Sequence, residues 1–411
     1  MTAMLDSTEA DYTELVEGIN AFVKRVVVPL EDANRELLDN PRLTFDERGG
    51  YSAPVLDLMR QVREASAKAG YYAMFAPESV GGEGLGAMAL FSVWEGLSHS
   101  AGPGRLLPDQ VIGHWTSGPS FLLGEVHPSL RDGVIDEVMS GAATVCFGMS
   151  EPDAGSDAWA MSTKAVRDGD GWVLNGTKQW TSNSAHAKYA FVWAVTDEDM
   201  KRERKGGITL FLVPTDTPGF AVDSVLRLFE HVGGNETILS LNDVRIPDTH
   251  MVGTLHQGFG LALRGVSNGR MYNAGHCVGM ARWALEEANR YTQVRSAFGK
   301  PIADYQGVSF KLADSAMDIY ASKTMSVDCA RRLDRGERAL KELNMVKAYT
   351  CEACFRVFDR CMQVCGAMGL TNEMRFVAGW HFARMVRVAD GTDEVMRRNI
   401  ASSLRKGDTA F

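Results

Sequence analysis

Hydrophobic residues recur at intervals of three and four along two long parts of the chain, which is the spacing of one face of an α-helix. The first part runs from about Asp11 to Gly141 and includes Tyr12–Leu30 and Val55–Ala69. The second part begins near Gly258. Its helical segments are Gly279–Gln293, Val308–Arg335, Leu340–Gly366 and Asp390–Leu404. These long segments predict a helical bundle in the last part of the chain.

Between these parts, from about Ala142 to Thr254, short β-rich runs alternate with glycine, asparagine and aspartate turns. The runs are Trp172–Leu174, Tyr189–Ala194, Thr209–Val213 and Thr237–Leu241. Such runs, separated by turn residues, predict a compact antiparallel domain of strands.

The order of these elements predicts an α+β protein with an N-terminal helical domain (1–141), a central β domain (142–257) and a C-terminal helical bundle (258–411). A doubly wound dinucleotide-binding fold would instead alternate strands and helices. The glycine-rich segment Gly82–Ala87 imitates a nucleotide-binding fingerprint, but a true fingerprint directly follows a strand and is followed by a second one. Here Pro77–Val80 precedes it and helical periodicity follows, so we interpret it as a loop between helices.

Composition and charge narrow the possible functions. The content of 45% hydrophobic and 23% charged residues is ordinary for a globular protein. The net charge of −9 argues against a nucleic-acid-binding protein, which needs a cationic face. Met1–Leu15 carries several acids and lacks the apolar core of a signal peptide, and no apolar run approaches the ~20 residues of a membrane span. We therefore expect a cytoplasmic enzyme, with an organelle lumen as the alternative.

Four of the seven cysteines fall in one predicted helix, at Cys351, Cys354, Cys361 and Cys365. Helical rotation places all four on one face, but the first and last are roughly 21 Å apart along the axis, too far to bind one metal ion. Two separate partial metal sites remain an alternative, but we favour the interpretation that the four thiols are buried in the core. The odd count and the missing secretory signal argue against a disulfide framework.

Five short motifs carry the candidate chemistry. They are Cys146–Asp157, Gly176–Asn183, Arg295–Pro301, Gln363–Gly369 and Ala389–Thr392. Small residues and unpaired backbone donors allow close approach to a flavin ring or a pyrophosphate, and serine hydroxyls can donate to it. Taken alone, the first motif is equally compatible with an ordinary turn between strands.

In this order and spacing the five motifs resemble those of the acyl-CoA dehydrogenase family, and the resemblance extends over essentially the whole chain. It implies an N-terminal helical domain, a central β-barrel-like domain and a C-terminal four-helix bundle. It also implies FAD as the cofactor and an acyl-CoA thioester as the substrate. Electron-transferring flavoprotein is the implied electron acceptor.

The resemblance also implies the binding residues. The expected FAD ligands are Phe147, Met149, Ser150, Ser156, Trp180, Ser182, Arg295, Phe298, Gln306, Gln363, Gly366, Ala367, Thr392 and Glu394. Ser156, Arg270 and Gly391 are expected to contact the substrate. A core aromatic is the alternative for Trp180, and an exposed ion pair is the alternative for Arg270.

Some of these residues belong to a neighbouring subunit in the family. Arg295 and Phe298 match the motif that binds the FAD pyrophosphate and adenine of a partner, and guanidinium suits phosphate oxygens. The other cross-subunit contacts of the family are matched by Gln306, Gln363, Gly366 and Ala367. The resemblance therefore implies at least a homodimer, and more often a tetramer. Ala367 replaces a common glycine, and Glu394 adds a charge where the family often has glutamine.

The predicted catalytic base is Asp390. Most relatives have the glutamate of Tyr-Glu-Gly-Thr at this point, whereas this chain has Ala389-Asp390-Gly391-Thr392. Other relatives have the base on a helix that matches Ser267–Arg270, and this stretch contains no carboxylate. Asp is shorter than Glu by one methylene, about 1.5 Å. Together with the loss of the tyrosine, this favours a bulky, branched or otherwise unusual acyl group.

Two other functions remain open at this point. An aspartate base also occurs in nitroalkane oxidase, a relative that uses oxygen, so a flavin oxidase, either of this type or an acyl-CoA oxidase, is the main alternative. A non-redox lyase or a non-catalytic binding paralogue on the same scaffold is another.

Overall fold

The computed structural model describes residues 7–410, with the side chains of residues 12–410, so part of the acidic stretch Met1–Leu15 lies outside the described residues. The α-helices are α1 Ser7–Phe22, α2 Val28–Ala33, α3 Arg35–Asp39, α4 Pro41–Thr44, α5 Ala53–Lys68, α6 Ala87–Ala101, α7 Asp136–Met139, α8 Glu198–Arg202, α9 Gly258–Val294, α10 Gln306–Asp334, α11 Leu340–Cys365, α12 Phe376–Val386 and α13 Asp393–Arg405. The strands are β1 Val145–Gly148, β2 Lys164–Asp168, β3 Gly171–Gln179, β4 Tyr189–Val195, β5 Ile208–Pro214, β6 Phe220–Leu226, β7 Glu236–Pro247, β8 Met251–Val252, β9 Ser296–Ala297 and β10 Lys300–Pro301. Helices, then strands, then helices follow one another as predicted.

The chain forms two compact units, which are described separately. The helical unit contains the described part of Met1–Lys24, Gly86–Pro108 and Val266–Phe411. The sheet unit contains Arg25–Leu85 and Asp109–Gly265. Within residues 7–410, no helix combines the length and the apolar character needed to cross a membrane.

One large sheet organises the sheet unit. Its strand order is β6-β7-β3-β2-β4-β5-β8, with β1 added beside β4. Most pairs are antiparallel as predicted, but β1 runs parallel to β4, and β2 meets β4 in parallel at Lys164 and Val195. The expectation of an antiparallel domain therefore holds for most strand pairs but not for these two. Every residue of β4 is buried, because side chains of alternate residues enter two separate cores on the two faces of the sheet.

The helical unit is built around α11, which packs against α10, α12 and α13. Cys351, Cys354, Cys361 and Cys365 lie in its core as free, buried thiols, which confirms that interpretation. The predicted helix Asp390–Leu404 begins later, at Asp393, because the backbone of Asp390 and Gly391 is left-handed. Within the predicted loop Gly82–Ala87, residues 82–86 form the loop before α6, and Ala87 is the first residue of that helix.

Helices α6 and α9 approach each other closely because of two glycines one turn apart on α9. A Cβ atom on Gly275 would lie 2.5 Å from the carbonyl oxygen of Phe91, and one on Gly279 would overlap that of Glu95. Beside this contact, the buried Glu95 carboxylate accepts from Arg282 at 2.8 Å and pairs with Lys323 at 3.1 Å. Close packing and a compensated buried charge thus fix the part of α9 that carries Arg270.

We predict that Gly275→Ala lowers the free energy of unfolding by about 1–3 kcal/mol, because the methyl group meets rigid backbone. Gly260→Ala on the same helix is the control, since no described atom lies within 4 Å of its Cβ position. That variant should be neutral or stabilising by up to ~1 kcal/mol, the helix propensity difference. Urea titrations followed by circular dichroism compare them, and equal stabilities would contradict the close approach.

Candidate active site

The predicted base, Asp390, lies in the turn that joins α12 to α13. Asp390 and Gly391 both have positive φ angles, 53° and 94°. Aspartate tolerates this backbone conformation better than most residues, and glycine tolerates it best. Thr392 then caps α13 by accepting a hydrogen bond of 3.2 Å from the backbone N–H of Val395. In the described structure, Gly391 and Thr392 thus shape the turn that presents Asp390.

Two side chains of α9 hold Asp390. Arg270 Nε donates to the Asp390 carbonyl oxygen at 3.3 Å, and Asn273 Nδ2 donates to Asp390 Oδ2 at 2.8 Å. The two residues reach the same turn because positions three apart share one face of a helix. Arg270 is half-buried at this turn, and it is not the exposed ion pair that was its alternative. Asn273 was not among the predicted site residues, because its contact joins residues that are 117 positions apart in the sequence.

Burial raises the pKa of the Asp390 carboxyl group, and the Asn273 hydrogen bond, Lys347 and Arg270 partly offset this rise. Lys347 is fully buried and pairs with Asp393 at 3.7 Å. Asp393 also accepts from Arg387 Nε at 2.6 Å, which closes the turn from the other side. A carboxylate with a raised pKa is a stronger base, so this arrangement suits proton abstraction.

In the sheet unit, the first motif forms the end of β1 and the loop after it. The Phe147 ring packs against Trp115 and Trp193, with centroids 4.5 and 4.1 Å away. Met149 and Ser150 are half-buried, and Ser156 is exposed. The backbone N–H of Gln179 donates to the Ser150 carbonyl at 2.9 Å. The structure therefore brings the first two motifs together.

A buried ion pair fixes the loop. Lys178 Nζ lies 2.8 Å from Glu151 Oε1, and both side chains are almost completely buried. Glu151 also accepts from the backbone N–H groups of Ser162 and Thr163. Burial opposes the charge of Glu151, but Lys178 and these donors lower its pKa to about 2. Both residues lie in the first two motifs, but nothing in those motifs indicates that their side chains form an ion pair.

Trp180 and Ser182 follow β3. The Trp180 side chain is 52% exposed, so it is not the core aromatic that was its alternative. Ser182 Oγ donates to Glu236 Oε1 at 2.7 Å. Burial raises the pKa of Glu236, and this hydrogen bond partly offsets the rise. An exposed indole next to hydroxyl groups fits the covering of a flat, polar-edged ring such as the predicted isoalloxazine.

The residues predicted to reach a neighbouring subunit are all exposed. They are Arg295, Phe298, Gln306, Gln363, Gly366 and Ala367. Phe298 is 96% exposed at the tip of the β9–β10 hairpin, and Gln306 is the first residue of α10. A single exposed apolar side chain is common on protein surfaces, so the contact of Phe298 with another subunit stays a prediction from its motif.

Glu394 is exposed in the first turn of α13. Hydrogen bonds from its own backbone N–H and from Thr392 lower its pKa. The start of a helix favours negative charge. The charge that Glu394 adds is therefore accommodated locally by the helix.

We predict that Lys178→Met lowers the free energy of unfolding by about 3–5 kcal/mol, because Glu151 is left buried without its counter-ion. Lys188→Met is the control, since Lys188 pairs with Glu137 at the exposed surface and should change stability by less than ~1 kcal/mol. Urea titrations at neutral pH measure both.

The pH dependence provides a second measurement. In the wild type, the contribution of ionised Glu151 to the free energy of unfolding is complete above its ordinary pKa of 4.5. It is lost as the pH falls towards the folded-state pKa of about 2. Without Lys178, burial should raise the pKa of Glu151, and acid unfolding should then begin at higher pH. An unchanged acid limb would show that the pair does not control this carboxylate.

Comparisons with known proteins identify the family of the chain. Residues 146–240 match the model of the acyl-CoA dehydrogenase middle domain, and residues 256–405 match that of the C-terminal domain. The human mitochondrial short-chain specific acyl-CoA dehydrogenase is 34% identical over 82% of this chain and 80% of its own length. The caffeyl-CoA reductase-Etf complex subunit CarC of Acetobacterium woodii is 29% identical over 92% and 95%.

A solved structure shares the fold. The glutaryl-CoA dehydrogenase of Mycobacterium smegmatis, in complex with FADH2, has a TM-score of 0.80 at 25% identity and is matched over 99% of this chain and 98% of its own. Together these similarities confirm the predicted family, fold class and cofactor. The chain belongs to the acyl-CoA dehydrogenase family and is an FAD-dependent oxidoreductase.

Proposed function

We propose that the protein dehydrogenates an acyl-CoA thioester between its α and β carbons, with Asp390 as the base. The observation that carries the proposal is the Asp390 carboxylate itself. It is partly buried, has a raised pKa and accepts a hydrogen bond from Asn273, while Arg270 binds the backbone carbonyl oxygen of Asp390. Such a group can take a proton from a weak carbon acid.

In this reaction the α carbon loses a proton and the β carbon loses a hydride. Asp390 takes the α proton, the β hydrogen leaves with its electron pair, and a C=C bond forms between the two carbons. FAD, when bound, supplies the two-electron acceptor for that hydride. The residues proposed to hold it are Phe147, Met149, Ser150, Ser156, Trp180, Ser182, Thr392 and Glu394, with others from a second subunit.

The α proton of a thioester is only weakly acidic, so the carbonyl oxygen needs donors while negative charge develops. The backbone N–H next to the base is our candidate donor, with Gly391 and Arg270 near the thioester. Ser156, exposed on its loop, is the proposed contact of the CoA portion.

We further propose a bulky, branched or aromatic acyl group. Asp390 is one methylene shorter than glutamate, and the neighbouring Ala389 is exposed and leaves room. The caffeyl-CoA reductase subunit is named for an aromatic thioester, whereas the human relative is named for short chains. Anaerobic bleaching of the flavin with a panel of acyl-CoA thioesters separates these options. Turnover restricted to short straight chains would exclude the bulky group.

Electron-transferring flavoprotein is the acceptor we propose, since CarC belongs to a complex with Etf. The alternative is an oxidase, favoured by the aspartate base. Hydrogen peroxide formed without an added acceptor would support the oxidase, and dependence on electron-transferring flavoprotein would support the dehydrogenase. The cytoplasmic location stays a prediction from the sequence.

We predict that Asp390→Asn slows reduction of the flavin by substrate by about 10²–10⁴-fold, the usual contribution of a general base. Asparagine tolerates the left-handed backbone and has almost the same shape, so the turn should persist. Asp223→Asn is the control, because Asp223 is an exposed acid on β6. Anaerobic stopped-flow measures both, and reduction at the wild-type rate in Asp390→Asn would exclude this base.

We propose a homodimer or homotetramer in which Arg295 and Phe298 complete the FAD site of a partner. Besides these exposed residues, α10 carries an apolar stripe in which Phe310, Met317 and Tyr320 are 60–76% exposed. An apolar stripe of this kind on a helix of a bundle is typical of a surface covered by another subunit.

Accordingly, Arg295→Ala should weaken retention of FAD by about 10–100-fold, the value of charge-assisted hydrogen bonds to phosphate. Arg290→Ala is the matched control, because Arg290 is exposed on the same helix and pairs only with Glu287 among the described residues. FAD content after gel filtration measures retention, and sedimentation velocity reports the assembly. A monomer that retains FAD as well as the wild type would contradict the proposal.

A further inference from the structure

We propose that Asn273 is the positioning residue of the base: its amide holds one oxygen of the Asp390 carboxylate and leaves the other oxygen to accept the substrate proton. This proposal rests on the proposed role of Asp390. The amide nitrogen must face the carboxylate, since an ionised carboxylate only accepts hydrogen bonds. No described residue donates to the second oxygen, Oδ1.

The position of Asn273 in the core shows why an amide there needs a particular explanation. Asn273 is 3% exposed and lies on α9 between Met271 and Ala274, which belong to a hydrophobic core. A buried amide is costly unless it is hydrogen-bonded, and an apolar side chain would pack there without that cost. Among the described side chains, the Asp390 carboxylate is the partner of its Nδ2 group.

The geometry explains how a short base is kept in place. Arg270 holds the backbone of Asp390 through its carbonyl oxygen, and Asn273 holds the carboxylate itself. Both donors come from one helix, whose contact with α6 is fixed by Gly275. The carboxylate is therefore fixed relative to a rigid element, and this matters because a ~1 Å displacement of a reacting group can cost on the order of a hundredfold in rate.

Several charges face the same carboxylate and must be separated from the effect of Asn273. Lys347 on α11 and Arg270 on α9 favour its ionised form. Arg387 and Asp393 flank it on its own turn and bond to each other. Asn273 is the uncharged member of this set, so replacing it changes a hydrogen bond without changing the net charge of the site.

The test uses Asn273→Leu, which removes the donor, and Asn273→Asp, which keeps the shape but places a second carboxylate beside the first. Asn344→Leu is the control, since Asn344 is also buried and bonds to the backbone of its own helix α11. In the FAD-loaded protein, we expect Asn273→Leu to slow flavin reduction about 10–100-fold. The kinetic pKa of the base should rise in both Asn273 variants, and further in Asn273→Asp because like charges repel. The control should leave the pKa unchanged.

A double-variant comparison separates positioning from general damage. If Asn273 acts through Asp390, Asn273→Leu should change the rate little in the Asp390→Asn background. A full loss in that background, or a wild-type kinetic pKa in both Asn273 variants, would overturn the proposal.

A readout that does not depend on activity separates this proposal from the proposed function. The infrared band of the protonated Asp390 carboxyl group, identified by its absence in Asp390→Asn, can be titrated in each variant. A titration moved to higher pH in Asn273→Leu supports the contact even if no acyl-CoA thioester is oxidised. An unmoved titration overturns the inference even if Asp390 is the base.

Discussion

The left-handed turn at Asp390 and Gly391 is the constraint on which the candidate chemistry depends. The turn after α12 contains two successive residues with positive φ, and the next helix then begins at a threonine cap. Such a backbone is stable only when its surroundings hold it. Here Arg270 binds the Asp390 carbonyl oxygen, and the Arg387–Asp393 ion pair closes the turn. The carboxylate is thus presented by a strained but strongly supported segment.

Buried carboxylates also occur in the backbone segments that carry other site residues, and each has a positively charged partner. Glu151 is paired with Lys178 beneath the loop of the first motif, and Glu95 is paired with Arg282 and Lys323 where α6 meets α9. An isolated buried charge would cost several kcal/mol, so each group is stable only with its partner. These pairs fix the backbone that carries the site residues, although they take no part in the proposed chemistry themselves.

Two exposed aromatic side chains lie in the motifs that are predicted to bind FAD. Trp180 and Phe298 are exposed, whereas Trp94, Trp193 and Phe358 are almost completely buried. Trp180 follows the strand whose last residue bonds to the first motif, and Phe298 lies at the tip of a hairpin. Both positions support the proposal that FAD covers Trp180 and that a second subunit covers Phe298. Cover by another molecule would also explain why these residues are hydrophobic although they contribute little to the core of the described chain.

The sequence by itself determined the family, the order of helices and strands, and the carboxylate to expect as the base. These follow from local periodicity and from motifs along the chain. Asp390 could be predicted as the base because its motif is contiguous in the sequence. The parallel pairing of β1 with β4, the Glu151–Lys178 ion pair and the Asn273–Asp390 hydrogen bond could not be predicted in this way. Each joins residues far apart in sequence, and Asn273 lies 117 residues from its partner. Only the tertiary structure decided them, because contacts of this kind depend on how strands, loops and helices pack and not on the residues adjacent in the sequence.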